Sequence, residues 1–276
     1  MRVQKAAVSA AFFVCAISLV VLLVPFPSAS WVRHAPALFR EIENLGHPVV
    51  FALLTAFTLR HWPRYAIAAT VLVLFGAVTE LLQQFTGRDA SLRDFVSNMS
   101  GVVLGIALHA RPRHPRLLSA TAVVIATLCL LPLLWTALAY VHRSQQAPVI
   151  WRAGSLLSGR FSHWQRGGYP GLAIDEPLRD WSGYRELQVA LANPHRTDVQ
   201  VTVRAHDWNH NQQFTDRYNQ TFTVPAGDAL LRIPIERIAT APAGRTMDLS
   251  SMSSVMVFQP GERHVPLDIE FIQLAR

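Results

Sequence analysis

Three short segments of this 276-residue chain gather groups suited to acid–base or anion-binding chemistry. Glu80, Gln83 and Gln84 close one apolar run, and their three- and four-residue spacing puts them on one helix face. Asp94 and Asn98, four apart, open the next apolar run, and His47 opens an earlier one just after Glu43. Arg88, Asp89, Ser91 and Arg93 fill the stretch between Gln84 and Asp94. A carboxyl held near a lipid boundary can act as general acid or base beside a His or a second carboxyl, and a guanidinium can clamp an anion. Glu80, His47, Asp94 and Arg88 are the candidates for such catalysis. Glu43, His47, Glu80, Gln83, Arg88, Asp94 and Asn98 are the candidates for a head-group or ligand site. Any one of them could equally cap a helix or join two helices. Acid, base, amide and guanidinium delivered to one layer by separate segments exceed that need.

A second constellation lies in residues 206–218, a polar and aromatic stretch between two strand-like runs. Sugar recognition uses flat aromatic faces beside planar hydrogen-bonding groups, and His206, Asp207, Trp208, Asn211, Gln212, Phe214, Asp216 and Arg217 have that chemistry. Metal binding through His206, Asp207 and His210 is an alternative, although the spacing matches no zinc signature. A plain polar hairpin with inward aromatics is another. Trp164, Trp181 and Tyr184 read as core or edge packing. The chain has no nucleophile elbow, P-loop or HExxH motif. Cys15 and Cys129 sit in apolar runs and supply neither a disulfide framework nor a metal spacing, so no cofactor or metal is expected.

The elements that must position these groups differ between the two halves. A membrane-spanning helix needs roughly 17–25 apolar residues. The runs 6–26, 65–85 and 117–141 meet that length; 47–59 and 95–110 are shorter and read as short or tilted spans. About five transmembrane helices are thus expected. A cleaved signal peptide is the alternative for the first, but its apolar core exceeds the usual length. Ser97, Gly101 and Gly105 form a small-residue stripe expected to bring the run 95–110 against the run 65–85.

Charge placement sets the orientation. Residues 1–146 hold 12 Lys and Arg against 5 Asp and Glu, whereas residues 147–276 hold 13 of each. With the N-terminus inside, the inner segments carry Arg2, Lys5, Arg60, Arg64, Arg111, Arg113 and Arg116 and no acid. The outer loops, with Arg33, Arg40, Glu41 and Glu43 and then Arg88, Asp89, Arg93 and Asp94, balance. The positive-inside rule then predicts a multi-pass protein of the inner or plasma membrane, N-terminus cytoplasmic and C-terminal half extracytoplasmic (periplasmic). The net charge of +7 is therefore a topology signal, and with no basic patch in the second half nucleic acid is not an expected partner.

After a polar linker at 144–148, short β-branched or alternating runs at 171–174, 186–191, 199–205, 220–224, 230–235, 254–258 and 267–272 alternate with turn signals such as Asn193-Pro194 and Pro260-Gly261. This pattern predicts an all-β sandwich over 149–276, with one helical turn at 236–241. The expected fold class is a membrane α-helical bundle (1–143) followed by a jelly-roll-like sandwich.

Glu80-Leu-Leu-Gln83-Gln-Phe85, then Arg88, Ser91, Asp94, Asn98 and Gly101, resembles the signature of VanZ-like membrane proteins. Upstream, the acid and His of Glu43-Asn44-Leu45-Gly46-His47 fit the same pattern, with Asn44 where the family usually has Lys. The resemblance, over about residues 10–110, implies a small multi-span domain of a family whose founding member is associated with tolerance to the glycopeptide teicoplanin. Asp180-Trp-Ser-Gly-Tyr184, the segment 247–258 and the final run with Asp268 and Ile269 resemble a galactose-binding-like jelly roll of carbohydrate-binding modules. The expected partners are the lipid bilayer and a glycan, cell-wall or lipid head-group ligand. Binding ranks before an outer-leaflet enzyme acting on a lipid-linked or glycan substrate, and that before simple anchoring. A reporter fused after Arg276 should be active only in its exported form; a cytoplasmic-type signal would invert the side assigned to every group above.

Overall fold

The computed structural model describes residues 35–83, 85, 91–110, 115–165, 169–261 and 265–276, arranged in two compact units. The apolar run at 6–26 lies outside the described residues, as do Gln84, Arg88 and Asp89.

The first unit, through Thr136, is helical. Helix α1 (Pro36–His61) starts with proline in its first turn, where the missing N–H costs nothing. It begins well before His47, where the apolar run suggested a start. Hydropathy registers only the apolar part of a helix, and Arg40, Glu41 and Glu43 are good helix formers that it passes over. The helix ends with the Trp62 N–H on the Thr58 carbonyl, 2.8 Å, just before Pro63. Helix α2 (Tyr65–Gln83) follows, then α3 (Leu92–Ala110) and α4 (Pro115–Gln146). Ser91 caps α3, its hydroxyl accepting the Asp94 N–H at 3.4 Å. Among the described residues, α1, α2 and α4 are long and apolar enough to cross a membrane. Helix α3 is not, since Arg93, Asp94, Ser97, Asn98 and Ser100 dilute its first half.

The small-residue stripe of α3 packs on α1, not on α2 as the sequence suggested. A Cβ added at Gly101 would stand 2.5 Å from the Pro48 carbonyl oxygen, and one at Gly105 2.6 Å from that of Ala52. Beside this seam Phe51, Leu54, Leu72 and Val102 form the unit's apolar core. A Cβ added at Gly76 of α2 would stand at ordinary contact distance, 3.4 Å, from Asn98 and Phe51, so α2 closes the third side.

The second unit, from Ala137, begins with the last turns of α4. That helix runs through Ser144–Gln146, where a linker was expected. Within the unit, the Tyr140 hydroxyl donates to the Glu176 carboxylate, Arg143 donates to the Glu176 carbonyl, and the Arg143 guanidinium lies 4.2 Å over the Phe161 ring. Among the described residues nine strands follow: β1 (Val149–Arg152), β2 (Ser162–Gln165), β3 (Gly171–Ile174), β4 (Glu186–Asn193), β5 (Val199–Asp207), β6 (Tyr218–Val224), β7 (Gly227–Pro234), β8 (Met252–Phe258) and β9 (Asp268–Ala275). A single turn, α5 (Ile235–Ala239), sits after β7. The strands form two antiparallel sheets, ordered β1-β9-β4-β7 and β2-β3-β8-β5-β6. Alternate residues fill the space between them: Val201, Val203, Val255 and Val257 from one sheet, Leu187, Val189, Ile233 and Ile272 from the other. Trp181 is wholly buried with its indole N–H on the Leu178 carbonyl, as core packing. Strands β1 and β2 were not anticipated: β2, Ser162-His-Trp-Gln165, is polar, and β1, Val149-Ile-Trp-Arg152, follows directly on the stretch read as a linker.

Because backbone oxygens crowd the missing Cβ, Gly101→Val should cost roughly 1–3 kcal/mol or more in detergent unfolding monitored by circular dichroism. Gly46→Ala, with nothing within 4 Å of the new atom, should cost nothing or stabilise slightly. Equal effects of the two would show that α1 and α3 do not touch at the glycine seam.

Candidate functional site

The helical unit joins three of the expected residues into one hydrogen-bonded chain. The Asn98 side-chain N–H donates to Glu80 Oε1 at 3.0 Å, and its oxygen lies 2.9 Å from His47 Nδ1. Since the Asn98 amide nitrogen faces Glu80, its oxygen must accept, so His47 donates from Nδ1. In the neutral ring Nε2 is then the acceptor nitrogen. Glu80 also accepts the Ser91 N–H at 3.4 Å, which ties it to the cap of α3. His47, Glu80 and Asn98 are 4%, 6% and 2% exposed. A buried carboxyl must be hydrogen-bonded to be tolerated, and here α3 supplies both donors, the Asn98 side chain and the Ser91 N–H at its cap.

The remaining candidates lie around this chain. Gln83 is buried one turn on from Glu80 on the same face of α2. Asp94 is half-buried in the first turn of α3, and Glu43 half-buried on α1. Arg88 lies outside the described residues. The structure adds a pair that sequence reasoning set aside as mutually balancing loop charges: Arg93 Nη2 donates to Glu41 Oε2 at 2.6 Å, and Glu41 is only 3% exposed. The signal was present. Glu41, Asn44 and His47 recur three residues apart, and once α1 starts at Pro36 they form one stripe leading into the polar layer.

In the sandwich, the 206–218 segment is built around Arg245, which was not anticipated. Its guanidinium donates to both oxygens of Asp207, at 2.7 and 2.8 Å, and through Nε to Asp216. Asp207 also accepts the Asp248 N–H at 2.8 Å and Asp216 the Asn211 N–H at 2.8 Å. Both carboxylates are buried, so they shape the loop and are turned away from solvent. His210 is held on the Asp216 carbonyl at 2.8 Å, and the His206 ring lies tilted against it with centroids 4.4 Å apart. Burial is the main cause that holds His206 below the usual histidine range. Trp208 is half-buried. The groups presented outward are Asn211, Gln212 (φ +70°) and Phe214, the last 64% exposed with Arg217 5.2 Å over its ring. Among the described residues no group of three or more His, Cys, Asp or Glu is placed to hold a metal.

Burial alone would raise the Asp207 carboxyl, but the bonds from Arg245 and the Asp248 N–H outweigh it and hold it below its ordinary 3.8. A depressed carboxyl stabilises the fold above its unfolded pKa, and that contribution disappears as pH falls through the lowered folded value. The thermal-stability gap between the protein and Asp207→Asn should therefore be full above pH about 5 and shrink toward zero below pH about 3. A gap that does not change with pH would contradict the Arg245 clamp.

No family model matches the chain, and no match was found among curated proteins. Among solved structures, the C-terminal part is similar to a family 11 carbohydrate-binding module from Clostridium thermocellum in complex with a β-1,3-1,4-mixed-linked tetrasaccharide; identity is 14%, 41% of this chain and 72% of that one are covered, and the TM-score is 0.31. The family 11 module of the C. thermocellum cellulosomal cellulase Lic26A-Cel5E gives 16% identity, coverage of 41% and 71%, and a TM-score of 0.30. An exo-beta-agarase gives 17% identity, coverage of 41% of this chain and 19% of that one, and a TM-score of 0.29.

Proposed function

We propose that the chain is a multi-span membrane protein of the cell envelope whose helical unit holds the polar head group of a lipid or lipid-linked ligand. The N-terminus lies on the cytoplasmic side and the sandwich outside, where it binds a glycan or another envelope component. The observation that carries the first part is the His47–Asn98–Glu80 chain, a buried acid, amide and imidazole linked across three helices. Ionisable groups within such a bundle are costly and mark functional positions. These residues are also among those by which the chain resembles VanZ-like proteins, which supports the same assignment. For the sandwich, exposed Phe214, Trp164 and Tyr169 and the outward amides of Asn211 and Gln212 are the surfaces that a sugar ring would meet.

The same chain supports a second reading, acid–base catalysis on a lipid-linked or glycan substrate. With Nδ1 donating to Asn98, His47 keeps Nε2 as its base nitrogen, and Glu80 lies at the far end of the polarised chain. The two readings differ in what the imidazole is for: binding tolerates His47→Gln, catalysis does not.

Glu80→Gln keeps an acceptor for Asn98 and removes the charge. Native mass spectrometry of detergent-purified protein should show lipid retained by the parent and reduced about tenfold in Glu80→Gln, the equivalent of one charge-assisted hydrogen bond. Equal retention by a folded Glu80→Gln would remove the head-group site.

A further inference from the structure

On the five-stranded sheet, Val201, Val203 and Ala205 of β5 point into the core, so Thr202, Arg204 and His206 point away from it. Arg204 pairs across the ladder with Asn219 of β6, and Thr202 with Thr221, whose hydroxyls meet at 2.8 Å. Arg217 stands just before β6, beside both Asn219 and the end of β5. Each arginine lies over an aromatic ring, Arg204 5.0 Å from the centre of Phe258 and Arg217 5.2 Å from that of Phe214. The Nε atoms of Arg204 and Arg217 and the side-chain oxygen of Asn219 are shielded from solvent, and among the described residues none has a hydrogen-bond partner. No ion pair neutralises either guanidinium among the described residues. The acids of this corner, Asp207 and Asp216, are held by Arg245. Alongside, Arg217, Asn219, Phe214, Tyr218 and Arg237 line a groove of about 390 Å³.

A guanidinium stacked on a ring keeps its N–H edge free, and that edge fits a carboxylate or phosphate through two parallel bonds. Two such groups, uncompensated and crowded together, repel one another; burial and the charge of Arg217 both push Arg204 below the usual arginine range. An arrangement of this kind is relieved by an anion. We propose that this corner is an oxyanion subsite and that the glycan bound by the sandwich is acidic, carrying a carboxylate or a phosphate on its sugar or polyol units. Arg204 and Arg217 take the oxyanion, Asn219 accepts from a neighbouring hydroxyl, and Phe214 offers a face to the ring. The proposal rests on the glycan-binding reading of the sandwich.

The full chain in detergent would be titrated calorimetrically with tetragalacturonate, with its methyl ester, and with a glycerol-phosphate oligomer. One of the two anionic probes should bind about tenfold more tightly than the methyl ester, and its binding should weaken as salt rises from about 50 to about 500 mM. A preference for the uronate or for the phosphate identifies the source of the oxyanion, and either supports the proposal. Arg204→Gln/Arg217→Gln should lose that preference. Arg237→Gln, at an exposed position where folding is not at stake, should lower anionic affinity by about two- to threefold. Equal binding of acid and ester, unmoved by salt or by these variants, overturns the oxyanion subsite and leaves glycan binding standing. No binding of any probe to the folded chain overturns both.

Discussion

A carboxyl enclosed by apolar helices must be given hydrogen-bond donors, and meeting that demand at Glu80 organises the helical unit. The donor side chain is Asn98, which reaches Glu80 only because α3 lies close against α1 and α2. Gly101 and Gly105 make the approach possible by leaving no Cβ to collide with the carbonyl oxygens of Pro48 and Ala52. Asn98, Gly101 and Gly105 share one stripe of α3, so the residue that bonds and the residues that permit closeness are consecutive turns of one face. The Ser91 N–H closes the arrangement from the end of the same helix. Polar satisfaction and close packing are thus one condition here.

The sandwich meets a similar demand with a cation. Arg245 answers two buried carboxylates from either end of the 206–218 segment, and the Asp248 N–H adds a neutral donor. The conspicuous polar composition of that segment therefore has two origins. Its aspartates build the loop, and its amides, Phe214 and Arg217 are left facing outward. The outward face is cationic at one corner although the C-terminal half as a whole balances its charges, because the acids there are internal.

Periodicity made much of this legible. Strand β3 starts and ends where alternation and turn residues put it, and the cores of β4, β5, β6 and β8 were visible as β-branched runs. The Glu80–Asn98 encounter was also foreseeable, from the coincidence of polar groups at matching ends of two apolar runs. What escaped depended on partners distant in sequence. Arg245 sits in a turn and has meaning only beside Asp207 and Asp216. Glu41 and Arg93 look like balanced loop charges until α1 is extended to Pro36. The partner of the glycine stripe was misjudged because helix order in sequence does not determine which pair packs closest. Strand β2 is too polar to read as a strand, and β1 follows directly on the stretch read as a linker.

One feature of the sheets bears on how the second unit is made. Strand β1 lies at the edge of the four-stranded sheet beside β9, and β4 needs β9 on one side to be paired on both. The contact between Trp151 and Ile272 closes a loop that encompasses nearly the whole unit. Non-local pairings of this kind form slowly, because the entropy of closing the loop is lost before the contact repays it. During synthesis β1 emerges long before its partner, so its edge and that of β4 stay unsatisfied until the last strand arrives. Until β9 pairs with them, those open edges are where misassociation with another chain would begin.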